Sequence, residues 1–216
     1  MVDTAYPARL NIDYQEKLSR VTTIFRVILV IPILIILGIL TSGSESVIQT
    51  VNAAGEVVGD TVSTGAGIVG SLFLVTLLLI LFRKRYPKWW FDFALALNRF
   101  SLRISAYLAL ITDRYPSTED EQNNHLDLDY PNAQTDLKRG MPLVKWFLAI
   151  PHYVILFFLW IAVLFVVVIS WFAIIFTGRY PRGLFDFVVG VMRWTWRVQA
   201  YALLLATDKY PPFELR

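Results

Sequence analysis

Two apolar patterns alternate along the chain. Segments 8–14 (ARLNIDY) and 125–130 (HLDLDY) alternate apolar and polar residues, the period-two signature of short strands. Between and after them stand unbroken apolar runs. The first, 21–40, carries one charge, Arg26, and is about the 20 residues needed to cross hydrocarbon. Ser19 serves as its N-cap, and Pro32 inside it predicts a bend, because the ring removes one backbone hydrogen bond. A second run, 66–82, stops at Arg83, Lys84 and Arg85. The third, 143–176, holds only Lys145 and His152 as titratable groups.

Segment 41–65, with Glu45, Glu56 and Asp60 but no Lys or Arg, reads as an external loop with a small hairpin around Ala54 and Gly55. Basic flanks on both sides of this first pair of spans place those flanks in the cytoplasm. The third run would be about 51 Å long as one helix, against a core of roughly 30 Å. It reads as one strongly tilted helix or as two short spans joined by a tight turn. The hairpin is favoured because both ends are basic, although no Gly, Pro or Asn marks a turn near 159–163.

Segment 85–116, RYPKWWFDFALALNRFSLRISAYLALITDRYP, returns at 179–211 as RYPRGLFDFVVGVMRWTWRVQAYALLLATDKYP. Without a gap, 85–111 and 179–205 share 11 of 27 residues. One inserted residue then aligns Thr112, Asp113, Tyr115 and Pro116 with Thr207, Asp208, Tyr210 and Pro211. This predicts an internal duplication, 1–117 and 118–216, with the polar stretch 112–141 as boundary. The copies would be parallel in topology, related by an axis along the membrane normal. The RYP and TD.YP elements read as turn punctuation at the two helix ends.

On a helix at 100° per residue, Asp92, Ala96, Arg99, Arg103 and Tyr107 fall within about 80° of one another. The second copy supplies Asp186, Gly190, Arg193, Arg197 and Tyr201. A narrow polar stripe behind a basic cluster predicts helices over 89–112 and 184–206 lying in the cytoplasmic interface, their arginines reaching headgroups. In one reading the arginines anchor these helices and Asp92 or Asp186 neutralises one of them. In the other, the two stripes face each other and form one cationic, Tyr-lined groove for a phospholipid headgroup or another amphiphilic anion; a partner protein's acidic segment, or a helix that itself spans the membrane, are the remaining readings.

The chain is 56% hydrophobic with a mean hydropathy of +0.54, which places it outside ordinary soluble domains. The net charge of +3 does not point to nucleic acid, since no basic run exceeds 83–85. Without cysteine and with two histidines, no thiolate chemistry and no typical zinc site is expected. His152 reads as hydrogen-bonded to a neighbouring helix, and His125 and the Asp127, Asp129 pair as solvated. No phosphate loop, GxSxG or HExxH occurs, so no cofactor and no catalytic residue is expected. The charged first 20 residues argue against a cleaved signal peptide.

The block RYPRGLFDFVVGVMRWTWRVQAYALLLATDKYPPF resembles a bacterial membrane-protein family known as domain-of-unknown-function family 4389. That resemblance implies two tandem copies in a bacterial inner-membrane protein and no activity that could be carried over. The expectation is thus an all-α integral membrane protein with about four spans and both termini cytoplasmic. Its spans fall at 21–40, 66–82 and, as a hairpin, 143–177, and its short strands pair in a small cytoplasmic sheet. Functionally it reads as a non-enzymatic accessory or scaffold subunit with membrane lipids and a membrane-protein partner or second copy around it. The alternative is a protein that handles lipid through its arginine stripes.

Overall fold

The computed structural model describes residues 6–41, 45–51, 57–64, 68–117 and 124–216 and is mostly helical. In order come β1 (Ala8–Ile12), α1 (Arg20–Thr41), β2 (Glu45–Val51), β3 (Val57–Thr64), α2 (Ile68–Leu78), a π turn (Leu79–Arg83) and α3 (Lys88–Leu108). β4 (Asn124–Leu128), α4 (Met141–Thr177) and α5 (Arg182–Ala202) complete it.

The two alternating segments pair as expected. β1 lies antiparallel to β4 with Leu10 opposite Leu126, and every second residue of each strand is buried. β2 and β3 form a second antiparallel pair with Val47 opposite Val62; the turn expected at Ala54 and Gly55 lies outside the described residues.

Proline and a left-handed residue bracket each amphipathic helix. Pro87 and Pro181 are the N-caps of α3 and α5, both extended, and their carbonyls accept the first helical bonds from Phe91 N and Phe185 N. Proline at the cap sacrifices no helical hydrogen bond, since its missing N–H would have no partner there. At the far ends Leu110 (φ 64°) and Leu205 (φ 55°) turn left-handed. Ile111 N then bonds Ala106 O, and Ala206 N bonds Ala200 O, each at 3.0 Å. The second of these bonds spans one residue more than the first, which places the inserted residue in the cap of α5. The helices accordingly stop at Leu108 and Ala202, short of the expected 112 and 206.

The hairpin expected within 143–177 is absent. α4 is one continuous helix of 37 residues, with Pro142 in its first turn and Pro151 inside it. Nothing around 159–163 stops it, and continuing the helix keeps every backbone N–H and C=O paired, which a turn among Leu, Trp, Ile, Ala and Val would not. It ends where glycine permits a left-handed residue: Gly178 (φ 72°) donates its N–H to Ile174 O at 2.7 Å and accepts from Leu18 N at 3.0 Å. α1 bends by 50° between Arg20–Arg26 and Ile28–Gly38, one turn before Pro32, whose ring crowds the carbonyl of Ile28.

By length and composition α4 can cross a membrane, as can α1 if its two bent parts count as one span. The apolar helix over Gly70–Arg83 is shorter than the roughly 20 residues a crossing takes. Among the described residues, one helix, or two, is therefore long and apolar enough to cross, in place of the four crossings expected. Only 17% of α4's most apolar window is buried, which separates it from a core helix. Its buried residues, Lys145, Ala149, His152, Leu156, Val163, Ser170 and Ile174, recur at spacings of three, four and seven and form one seam. Leu159, Val166, Val167 and Trp171 flank that seam half-buried, and most of the remaining surface, including Phe147, Phe158, Phe165 and Phe172, is exposed.

Three tiers result. α4, α1 and α2 present the exposed apolar faces. α5 lies between α4 and the β1/β4 pair: Trp194 Nε1 donates to His152 Nδ1 on one side, and Arg193 Nε donates to Leu10 O on the other. Likewise α3 packs Phe100, Ile104 and Tyr107 against Val30 and Ile33 of α1 and sends Arg99 to Leu126 O of β4.

Candidate functional site

The stripe residues do not face one another across an open groove; the four arginines and two tyrosines among them are tied into the fold. Arg99 Nε donates to Leu126 O at 2.9 Å, with Asp127 at 3.4 Å beside it. Arg193 Nε donates to Leu10 O at 3.0 Å, and its Nη1 to Leu215 O at 3.3 Å. Since Leu10 and Leu126 are cross-strand partners, both stripes end on the same strand pair, each reaching the strand that belongs to the other half. Arg103 donates to Ser117 O at 2.7 Å. Arg197, buried, pairs with Glu214 at 3.3 Å and donates to the Arg216 carbonyl. Burial, and then the charge of Arg197, lower the pKa of Arg193.

Neither aspartate forms a direct ion pair with these arginines, although the Asp186 charge attracts Arg193 from a greater distance. Asp92 is exposed, and Asp186 faces Arg182 at 3.7 Å within its own helix. The two FDF motifs are instead held by their first phenylalanines. Phe185 packs edge-on against Tyr14 and Tyr180 (5.0 and 6.1 Å between ring centres), and Phe91 against Tyr130 and Tyr86 (5.2 and 5.7 Å). Tyr14 donates to Tyr180 O, and Tyr130 to Tyr86 O, so each strand's tyrosine again locks the other half.

Tyr107 and Tyr201 lie under buried cations that sequence reasoning did not select. The guanidinium of Arg26 sits 4.5 Å from the Tyr107 ring, pairs with Asp113 and donates to Tyr107 O at 2.9 Å. Lys145 Nζ sits 5.2 Å from the Tyr201 ring, 2.8 Å from Asp208 and 2.7 Å from Thr207 O. The same aspartates accept the backbone N–H of Ser19 (2.5 Å) and Lys138 (2.8 Å), just before α1 and α4. Each TD.YP element thus closes its amphipathic helix, fixes the start of an apolar helix and neutralises the one cation buried within that helix. A signal was present: Arg26 and Lys145 each stand six residues before a proline, Pro32 and Pro151.

His152 is hydrogen-bonded to a neighbouring helix, as expected. Its Nδ1 accepts from Trp194 Nε1 at 3.1 Å, and Phe213 stacks on it with ring centres 4.0 Å apart. The tail carrying Phe213 also covers the second stripe. A Cβ on Gly190 would stand 2.7 Å from Leu215 O and 2.9 Å from Leu215 Cβ, whereas the matching Ala96 is exposed. Gly190→Ala is therefore expected to lift the tail and cost about 1–3 kcal/mol, read as lower unfolding temperature and faster proteolysis near 213–216.

The described residues also line a partly open cavity of about 260 Å³ between α3 and α5, bordered by α2 and Trp160. Leu72, Phe73, Leu97 and Trp196 supply apolar wall, and Thr76, Asn98, Ser101, Ser105, Thr195 and Gln199 supply polar atoms. Ser101, Ser105 and Thr195 give their hydroxyl protons to their own helices, so they offer a ligand acceptor oxygens. The Gln199 amide has no side-chain partner among the described residues. None of the eight stripe residues lines this cavity.

Burial raises the pKa of Tyr6, Tyr86, Tyr180 and Tyr201 above the usual 10. A buried acid with a raised pKa holds its proton longer folded than unfolded, so stability is full below pH 10 and falls as pH rises above it. Alkaline unfolding should therefore coincide with tyrosinate absorbance, as one cooperative step above pH 10. Gradual ionisation of these tyrosines in a folded chain would contradict their burial.

No metal-binding group of three or more His, Cys, Asp or Glu occurs among the described residues. Neither a curated protein nor a solved structure matches the chain. Residues 141–214, which run from the start of α4 to the tail that covers α5, match one copy of the family described as domain of unknown function (DUF4389).

Proposed function

We propose that this chain is a non-enzymatic accessory or scaffold subunit embedded in a bacterial cytoplasmic membrane, with both termini on the cytoplasmic side. The observation that carries this reading is how the polar chemistry is spent. The arginines, the two buried cations and His152 hold strands, tails and helix ends together, while an apolar face some 37 residues long is left uncovered. Such a molecule acts through its surfaces. Matched features in the two halves support the same reading: the ion pairs Arg26–Asp113 and Lys145–Asp208 and the aromatic crosses at Phe91 and Phe185 recur at corresponding positions. Two similar faces then stand ready for a membrane-protein partner or a second copy. Native mass spectrometry of the protein released from its own membranes tests this. A stoichiometric protein partner or homo-oligomer is the expected result, and a chain that always runs alone would remove the scaffold reading.

One observation favours a second reading, the handling of an uncharged amphiphile. The cavity between α3 and α5 has apolar walls, several hydrogen-bond acceptors and no charged side chain among its lining residues. A ligand that places a hydroxyl against Ser101 and Thr195 and its chain against Leu72 and Phe73 suits it. Under this reading a lipid-sized mass accompanies the wild-type protein and is lost from Ser101→Trp. Identical masses apart from the substitution would reject it.

A further inference from the structure

The exposed apolar face of α4 lies in the tier opposite the charged strand pair, and the position of that strand pair along α4 decides how the helix meets lipid. One turn of α5 makes the connection. On one side Trp194 and Thr195 bond His152 and Trp160 of α4. On the other, Arg193 bonds Leu10 and Trp196 bonds Asp127 O. The strand pair therefore stands one helix-width from residues 152–160, the middle of α4. Its outer surface is charged and exposed: Arg9 with Asp129, Arg99 with Asp127, and Asp13 near His125.

Were α4 to cross the bilayer, these charges would sit near mid-depth and face lipid, where ionised groups are strongly disfavoured. A crossing meets two further obstacles. Fitting an apolar stretch of about 51 Å into roughly 30 Å of hydrocarbon requires a tilt of about 54°, beyond the usual range of 0–40°. It would also send the exposed basic residues at the two ends of α4, Lys138 and Arg139 before it and Arg179 and Arg182 after it, to opposite sides of the membrane, against the positive-inside tendency.

We propose that α4 lies in the plane of the membrane, its exposed face sunk in the hydrocarbon of one leaflet, with α5 and the strand pair stacked above it toward water. The proposal rests on the membrane-embedded reading and specifies its geometry. Both basic ends then lie at one headgroup layer, where anionic lipid attracts them, and Trp146, Tyr153 and Trp160, all exposed, suit the interface beside them. α4 lacks the polar face usual for an in-plane helix because its buried seam is covered by α5, whose far side carries the strands. The amphipathic body is the whole domain.

The chain contains no cysteine, so Phe147→Cys, Phe158→Cys and Phe172→Cys, made singly at these exposed sites, can each carry a fluorophore in vesicles of phosphatidylethanolamine and phosphatidylglycerol. Quenching by lipids spin-labelled at shallow and deep carbons then reads depth. The proposal expects one common depth, within a single leaflet, at all three sites. A probe at Phe158 near the bilayer centre, with shallower probes at Phe147 and Phe172, would overturn it in favour of a crossing or a hairpin. Flotation of the same vesicles separates the two levels: labelled chain left at the bottom of the gradient refutes membrane embedding itself, whereas a floating chain with graded depths refutes only the in-plane geometry.

Discussion

Asp208→Ala is expected to destabilise the protein by about 3–5 kcal/mol, the range found when one partner of a buried ion pair is removed. Lys145 is 0% exposed in side chain and Asp208 14%. With the carboxylate gone, the ammonium keeps only Thr207 O and the face of Tyr201. The loss extends to the start of α4, because Asp208 also accepts the N–H of Lys138. Lys145→Met combined with Asp208→Ala should recover most of the loss, since the methionine is close in volume and leaves no buried charge. Denaturant unfolding of the two variants reads the difference. Equal destabilisation by the single and double changes would mean that the aspartate acts only by capping the backbone.

Placing glutamate at Phe147, Phe158 and Phe165 together is expected to lower partition into vesicles by about a thousandfold or more. A charged group at mid-hydrocarbon costs roughly 2.5–3.5 kcal/mol on insertion scales, and even half of that is about tenfold per group. All three phenylalanines point away from the protein, with exposures of 74%, 64% and 61%, so the folded structure should persist. Asp129→Asn on the strand pair should leave partition almost unchanged. Loss of partition in the Asp129 variant and not in the triple variant would invert the assignment of faces.

Much of this was legible in the sequence because local chemistry decided it. Alternation in ARLNIDY and HLDLDY marked two strands, and a shared alternation made their pairing a fair expectation. The prolines of RYP fixed the starts of α3 and α5. The length of α4 was harder to read, because two signals disagreed. Basic ends on both sides of one apolar run suggest a hairpin in a membrane, yet no residue near 159–163 can turn the chain, and the unbroken helix prevailed.

Periodicity placed Asp92, Arg99, Arg103 and Tyr107 on one face correctly, but it could not say what that face meets. The answer lies in strands far away in the chain. Arg193 reaches Leu10 and Arg99 reaches Leu126 because each half's strand crosses to the other, and nothing local to either helix encodes that exchange. Arg26 and Lys145 were visible as solitary charges in apolar runs. Their partners, Asp113 and Asp208, were read only as turn residues, since the contact depends on how the apolar and amphipathic helices pack.

That the stripe arginines hold the fold together, leaving the protein to act through its surfaces, is tested most directly by one measurement. It is the thermal unfolding of Arg99→Gln/Arg193→Gln beside the wild type, in neutral and in anionic vesicles. Each lost bond ends on a backbone carbonyl of the strand pair, and hydrogen bonds to charged groups contribute about 1.5–3 kcal/mol apiece. The same large fall in unfolding temperature is therefore predicted in both kinds of vesicle. A variant as stable as the wild type in neutral vesicles, and weakened only where anionic headgroups are present, would instead make these arginines a lipid site.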